Sequence, residues 1–161
     1  MTGRLLGLAD RIRDEIVELT RIVDRVRGGW QRSQQSEDDL YLDSVALNLH
    51  GFYGGLERLF ELVASTVDGS VPQGANWHRL LLEQMASEIR QERPAVISAK
   101  TITALDEYRG FRHIVRNVYT FMFDPEKVEK LVEKLPGVFK QVQTELLGFA
   151  DFLEQQVQKG E

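Results

Sequence analysis

Hydrophobic side chains recur every three or four residues along most of the chain, which is the spacing of one face of an α-helix. The first such pattern runs to Val26 and stops at Gly28-Gly29, a pair that predicts the end of a helix. The polar stretch 31–38 that follows predicts a loop, and Ser36 and Asp39 have the spacing of a capping box at the next helix start.

The most regular apolar pattern lies in the second segment and predicts a long helix packed into a bundle. Its apolar positions are Leu42, Val45, Leu49, Phe52, Leu56, Leu59 and Val63. Gly51, Gly54 and Gly55 lie within this helix, where each glycine costs about 1 kcal/mol relative to alanine. We therefore expect another element, such as a neighbouring helix, to approach the backbone closely there. The turn-rich stretch 68–74 predicts a loop after this helix.

Three further helical segments are predicted. Residues 75–90 form a shorter one that ends before Pro94, and a long helix follows from about Thr101 to Phe123. Asp124-Pro125-Glu126 provides an N-cap, a proline at the first helical position and an acid in the first turn.

This last helix is predicted to run to about Gln158, with Pro136-Gly137 kinking it or dividing it in two. The sequence contains no alternating strand pattern and no internal repeat. We therefore predict an all-α fold, an up-and-down bundle of four or five helices in a single domain spanning residues 1–161.

Composition narrows the class of protein. The chain has 25 acidic and 20 basic residues, a net charge of −5, and no cysteine, which excludes a disulfide scaffold, cysteine-ligated zinc and a thiol nucleophile. Net acidity argues against sequence-independent coating of nucleic acid but allows a local basic site. Short apolar runs and the charges throughout the first 26 residues predict neither a membrane span nor a signal peptide, so we expect a cytoplasmic protein.

Residues 109–123 (RGFRHIVRNVYTFMF) differ from the rest of the chain, since they include three arginines, one histidine and no acid. Helical spacing gathers the polar residues on one face, which comprises Arg109, Arg112, His113, Arg116 and Asn117, with Tyr119 at its end. Paired guanidinium groups match the geometry of phosphate oxygens, so this face can hold a phosphate. Composition alone favours a different interpretation, a solvated basic face that pairs with acids of neighbouring helices.

The order of residues in this segment favours a functional site over a solvated basic face. Arg112-His113-x-x-x-Asn117-x-Tyr119 resembles the motif of the HEPN superfamily, in which an arginine and a polar residue are followed by a histidine and, two positions later, a tyrosine. Residues 47–64 (LNLHGFYGGLERLFELVA) are similar to the corresponding helix of HepT-like and nucleotidyltransferase-associated HEPN proteins. The resemblance is greatest to HepT, the toxin of the MntA–HepT toxin–antitoxin pairs.

This resemblance implies a metal-independent endoribonuclease that acts on RNA, either tRNA or mRNA, through a site assembled across a homodimer. It implies catalytic positions at Arg112, Asn117 and Tyr119, and RNA-binding positions at Arg109, His113 and Arg116. No two histidines lie four residues apart, and none has a carboxylate at a recognised metal-ligand spacing. Glu57 and Glu61 lie one turn apart, but a metal site in a bundle would need ligands from other helices as well. We therefore expect neither a metal nor a cofactor.

The motif departs from the family at position 117, where the family has its catalytic histidine and this chain has asparagine. Asparagine cannot titrate, and loss of a general acid–base lowers a rate by on the order of 10²–10⁴. We therefore expect this chain to be inactive or severely impaired. His113 lies one turn earlier, about 6 Å along the helix axis, which is too far for it to replace the missing base.

The resemblance also implies that an MntA-like nucleotidyltransferase neutralises the toxin by transferring AMP to Tyr119. The alternative for Tyr119 is a surface tyrosine that caps the apolar face. The alternative function is a non-catalytic helical binding partner of a nucleotidyltransferase, and a bundle without any site is a third possibility. His50 and His78 are expected to pack or form hydrogen bonds.

Overall fold

The computed structural model describes residues 2–119 and 122–160, and these residues form five α-helices. The helices are α1 (Thr2–Gln35), α2 (Leu40–Val63), α3 (Trp77–Met85), α4 (Ala99–Asn117) and α5 (Pro125–Lys159). A π-helical turn, Ala64–Asp68, continues α2. Among the described residues there is no strand, only an isolated bridge between Ile89 and Arg93. The prediction of an all-α bundle is confirmed.

The core of the bundle lies where α1 packs along α2 and α5, and α4 packs against α2 and α5. The regular pattern of α2 is buried as predicted, with Val45, Leu49, Phe52 and Leu56 at 1% exposure or less. The Phe52 ring meets Tyr108 of α4 and Phe139 of α5 edge-on, with ring centroids 5.6 and 6.1 Å apart. These contacts fix α4, which carries the arginine-rich face, against α2.

The prediction that α1 ends at Gly28-Gly29 is wrong, because α1 continues to Gln35. A Cβ at Gly29 would lie 3.1 Å from Cγ2 of Val45, so this glycine lets α1 and α2 approach closely. The predicted loop shrinks to the four residues between the helices. The capping box is also wrong, since Asp39 makes no side-chain cap and the backbone N–H of Leu40 donates to Asp38 instead.

The close approach predicted at the glycines of α2 is confirmed at Gly55. A Cβ there would lie 3.2 Å from both Glu15 Oε1 and Leu19 Cδ2 of α1. At Gly54 the nearest atoms of another helix are those of the Arg112 guanidinium, 3.9 Å or more away, and at Gly51 a Cβ would meet open space.

Helix α5 begins as predicted and is not divided at Pro136. The Asp124 carboxylate accepts a hydrogen bond from the Glu126 backbone N–H at 3.0 Å, with Pro125 at the first helical position. Buried side chains on either side of the proline, including Leu135 and Phe139, hold the helix against the core. Packing of one long apolar face therefore outweighs the missing N–H of Pro136. Helix α3 is also shorter than predicted, covering 77–85 rather than 75–90.

Helix α4 ends at Asn117, six residues before the predicted end at Phe123. The Asn117 side chain donates a hydrogen bond to the His113 carbonyl at 2.7 Å, and Val118 adopts an extended conformation. A short polar side chain that bonds the last carbonyls favours a helix end over a helix interior. Tyr119 therefore lies beyond the helix, and residues 120 and 121 of the predicted helix lie outside the described residues.

Within residues 2–119 and 122–160, no helix has the length and apolar character needed to cross a membrane.

Candidate functional site

A pocket of about 370 Å³ lies between α2, α3 and the C-terminal half of α4. It is lined by Tyr53, Glu57, His78, Arg109, Arg112, His113, Arg116 and Asn117. The polar face predicted for the arginine-rich segment thus lines a single pocket over its helical part. Tyr119 is absent from the lining and is 72% exposed, because the helix ends two residues before it.

Arg112 is held by a buried carboxylate on the facing helix. Its Nη1 donates a hydrogen bond to Oε1 of Glu57, which is only 3% exposed. A buried carboxylate must be paired, since leaving one uncompensated costs several kcal/mol. The guanidinium therefore has a fixed place in the pocket wall, as the interpretation of a basic face pairing with neighbouring acids had anticipated.

The second oxygen of the same carboxylate binds His78, the second residue of α3. Nδ1 of His78 lies 2.6 Å from Oε2 of Glu57, and the Trp77 ring lies against the imidazole with centroids 3.6 Å apart. An ionised carboxylate only accepts hydrogen bonds, so in the neutral imidazole Nδ1 carries the proton and Nε2 is the acceptor. Glu57 thus orients both a cation and an imidazole along one pocket.

Arg112 retains hydrogen-bonding capacity beyond its bond to Glu57. A guanidinium has five N–H donors, and among the described residues Nε of Arg112 is buried without a partner. The group lies beside Gly54, where any Cβ would sit about 3.9 Å from its central carbon. The remaining Nη donors can therefore serve an anion in the pocket.

The other two arginines differ in how firmly they are held. Nε of Arg109 donates to Asp106 at 2.7 Å, one turn earlier on α4, whereas Arg116 is exposed and forms no ion pair with a described residue. The charges of Arg112 and Arg116 reach His50 on α2, whose pKa is lowered first by partial burial and then by these two cations. The two cations therefore lie close enough to this part of α2 to attract an anion to it.

Burial raises the pKa of the Tyr53 hydroxyl, and the nearby Glu57 charge raises it further. Tyr53 lines the pocket but is only 1% exposed, and this burial keeps its hydroxyl neutral. It offers the pocket a hydrogen-bonding group and not a titrating one.

Asn117 lies in the last turn of α4, where its amide nitrogen bonds the carbonyl of His113. Two imidazoles, those of His78 and His113, line the pocket, and residue 117 adds no third. Residue 117 lines this pocket from α4, and it is the position at which the HEPN motif that this segment resembles has its histidine.

Tyr53, Glu57 and His78 line the pocket, but the sequence analysis assigned none of them to the site. It expected His78 only to pack or form hydrogen bonds, and His78 does both, with Trp77 and Glu57. A signal for Glu57 was present, because it lies between Tyr53 and Phe60 on a second buried stripe of α2. A charged residue on an apolar helix face is usually paired or functional. His78 carried no such signal, since it lies 21 residues from Glu57 across the loop that precedes α3.

Comparison with known protein families gives one match, to the model of HepT-like proteins over residues 44–153. The chain matches none of the curated proteins and none of the solved structures with which it was compared. The matched range includes nearly all of α2, all of α3 and α4, and most of α5, and therefore every residue that lines the pocket. Since the match covers more than half of the sequence, the chain belongs to the HepT-like family of HEPN proteins.

Proposed function

We propose that this chain is a HepT-like toxin, a metal-independent endoribonuclease of a toxin–antitoxin system, and that asparagine at position 117 severely reduces its activity. The observation that carries the proposal is the convergence of Arg109, Arg112, His113, Arg116 and Asn117 on one pocket. Cationic groups placed at a preformed pocket can bind a phosphate and stabilise the charge that develops on it.

In the proposed reaction, a ribose 2′-hydroxyl attacks the adjacent phosphorus and the bond to the 5′-oxygen breaks. Arg112 is the best-placed group to stabilise the negative charge on the non-bridging oxygens, because Glu57 holds its guanidinium in position before RNA binds. Arg109, His113 and Arg116 extend the phosphate-binding surface along the last two turns of α4. Neither a metal nor a cofactor takes part in this scheme.

A homodimer completes the proposed site, with two copies of α4 facing each other. Exposed apolar side chains in the last turn of α4 and in the segment after it support self-association, since Ile114, Val118 and Met122 are 36%, 38% and 63% exposed. Facing arginine clusters repel each other unless an anion lies between them, so RNA or phosphate should strengthen the dimer. We also propose that residues 1–161 form a single domain.

Tyr119 is the proposed acceptor of AMP from an MntA-like nucleotidyltransferase. Its 72% exposure and its position beyond the end of α4 support access by a transferring enzyme. We expect Tyr119→Phe to abolish adenylylation by such an enzyme with ATP, measured as intact mass, while Tyr41→Phe on α2 leaves it unchanged. Adenylylation that persists in Tyr119→Phe would remove Tyr119 from this role.

A second candidate function is a non-catalytic binding partner of a nucleotidyltransferase. Asn117 favours it, because residue 117 cannot accept the 2′-hydroxyl proton.

The test of the proposal is cleavage of a purified tRNA and of total cellular RNA in EDTA. We expect the Asn117→His variant to cleave on the order of 10²–10⁴ times faster than the unaltered chain. The matched control is Asn117→Gln, which keeps the amide and adds no base. If Asn117→His cleaves no faster than Asn117→Gln, the non-catalytic function takes precedence.

A further inference from the structure

Besides His113 of the motif helix, a second imidazole lines the pocket, and this one is paired with a buried carboxylate. His78 comes from α3 and Glu57 from α2, and the chain pairs them at 2.6 Å through Nδ1 and Oε2. The motif residues of α4 approach the same pocket from the other side.

We propose that His78, oriented by Glu57, is the catalytic base of the residual ribonuclease activity in this chain. The inference rests on the proposed ribonuclease function and names the group that accepts the proton in it. It assigns His78 a catalytic role and Glu57 a positioning role.

The arrangement has the features of a nucleophile-activating base. Such a base is held in one tautomer by a third group, and its free nitrogen must be the unprotonated one. The buried Glu57 carboxylate accepts from Nδ1 and so leaves Nε2 as the acceptor. Trp77 packs against the ring and limits its rotation. The His78 side chain keeps 29% of its surface exposed, so the ring is accessible from the pocket.

His113, the other imidazole of the pocket, lacks this support. It is exposed, and its ring lies 3.5 Å from the amide nitrogen of Asn117, one turn later on the same helix. Among the described residues, the hydrogen-bond contacts of its ring are with this amide and not with a carboxylate. Of the two imidazoles, His78 is therefore the oriented one.

Glu57 also ties the base to the cation that binds the phosphate. Its two oxygens hold His78 and Arg112 respectively, so one carboxylate places the proton acceptor and the charge-stabilising group together. In a site of this kind the base and the charge-stabilising group are in place before the substrate binds. The site therefore lowers the barrier without reorganising during the reaction.

The proposed step balances without a metal or co-reactant. Nε2 of His78 takes the proton of the 2′-hydroxyl while the 2′-oxygen forms a bond to phosphorus and the bond from phosphorus to the 5′-oxygen breaks. The departing 5′-oxygen takes a proton from water, and Nε2 later returns its proton to the solvent. The products are a 2′,3′-cyclic phosphate and a 5′-hydroxyl end.

The experiment compares three variants of the full-length protein with the unaltered chain, using purified tRNA in EDTA. His78→Asn keeps a donor near the position of Nδ1 for Glu57 but cannot accept a proton, so we expect cleavage to fall by on the order of 10²–10⁴. RNA affinity, measured by fluorescence anisotropy, should stay unchanged. His78→Ala leaves space for free imidazole, and added imidazole should restore its cleavage, which a merely structural role of His78 would not allow. Asn117→His supplies the family's own base and serves as the active reference.

Each result decides the inference. Loss of cleavage in His78→Asn at unchanged RNA affinity, with imidazole rescue of His78→Ala, supports it. Equal cleavage by His78→Asn and the unaltered chain overturns it, as does a parallel loss of RNA affinity or a failure of rescue. If the unaltered chain does not cleave while Asn117→His does, this inference is wrong and the proposed function stands. If Asn117→His does not cleave either, the proposed function fails with it.

Discussion

Glu57 on α2 and Arg112 on α4 form an ion pair against the pocket, although 55 residues separate them in the chain. Glu57 is 3% exposed and the Arg112 side chain 21%, so the pair is shielded from solvent on one side and open to the pocket on the other. The arginine of the motif is therefore positioned by the fold and not by substrate. Preorganised charge of this kind stabilises a transition state at no cost of rearrangement.

Glu57→Gln should lower stability. The variant removes the charge that compensates Arg112 and the carboxylate that orients His78, and loss of one partner of a buried polar pair costs about 1–3 kcal/mol. The free energy of unfolding in urea measures the effect. Glu61→Gln is the control, since Glu61 lies one turn further along α2 without an ion pair to a described residue. Equal behaviour of the two variants would contradict the importance of the pair.

Gly51 and Gly55 predict opposite responses to alanine. At Gly51 a Cβ meets open space, so Gly51→Ala should raise the free energy of unfolding by about 0.5–1 kcal/mol through higher helix propensity. At Gly55 a Cβ would press within 3.2 Å of Leu19 and Glu15, so Gly55→Ala should lack that gain. Thermal or urea unfolding of the two variants measures the difference between them. Equal stabilisation by both alanines would show that α1 and α2 can separate without cost.

Arg116 should contribute a phosphate contact and Arg25 should not. Removing one phosphate contact reduces the slope of log affinity against log salt by about 0.7 for a single strand. We expect this change for Arg116→Ala in RNA titrations at several salt concentrations. Arg25→Ala removes an exposed arginine from α1, away from the pocket, and should leave the slope unchanged. A similar effect of both variants would indicate nonspecific attraction to overall charge.

His50 should report on anion binding through its pKa. Burial lowers the pKa of His50 below the ordinary 6.5, and the positive charges of Arg112 and Arg116 lower it further. Phosphate or RNA bound between these arginines cancels part of their charge, so the pKa of His50 should rise in an NMR titration with ligand. Arg116→Ala should raise it without ligand, whereas Arg25→Ala should not. A pKa that is unmoved by either change would place the anion elsewhere.

The same shift predicts how stability depends on pH. Because the pKa of His50 is lower in the folded state, the unfolded chain binds the proton more readily. The contribution of His50 to stability is therefore complete above the ordinary value of 6.5 and declines as pH falls below it. In urea titrations, His50→Gln should reduce the part of the stability loss that occurs below pH 6.5.

The helical layout followed from the sequence where a single apolar face dominated, as in α2 and at the start of α5. It failed where local signals competed with packing. Gly28-Gly29 predicted a stop, but Gly29 instead fits against Val45, and α1 continues. Pro136-Gly137 predicted a kink or a division, and of these two the division is wrong, because buried residues on both sides keep α5 in one piece.

Five of the eight residues that line the pocket also followed from the sequence, because one helix carries all five. Arg112, His113 and Asn117 share a face by spacing alone. Glu57 and His78 reach the pocket from two other helices, and no spacing within α4 reports on them. The end of α4 at Asn117 was not predicted for a different reason. The amide of Asn117 bonds the His113 carbonyl and favours a helix end there, but the sequence analysis treated Asn117 only as the replacement of the motif histidine.

We propose that Arg112 and residue 117 act together in one ribonucleolytic site. The most direct measurement compares tRNA cleavage in EDTA by Asn117→His and by Asn117→His combined with Arg112→Ala, with Arg25→Ala in the same background as control. We predict products with 2′,3′-cyclic phosphate ends from Asn117→His and from the Arg25 control. Cleavage should fall by at least about 100-fold when Arg112 is removed, the loss typical of one transition-state donor. Equal cleavage with and without Arg112, or none by Asn117→His, would contradict the account.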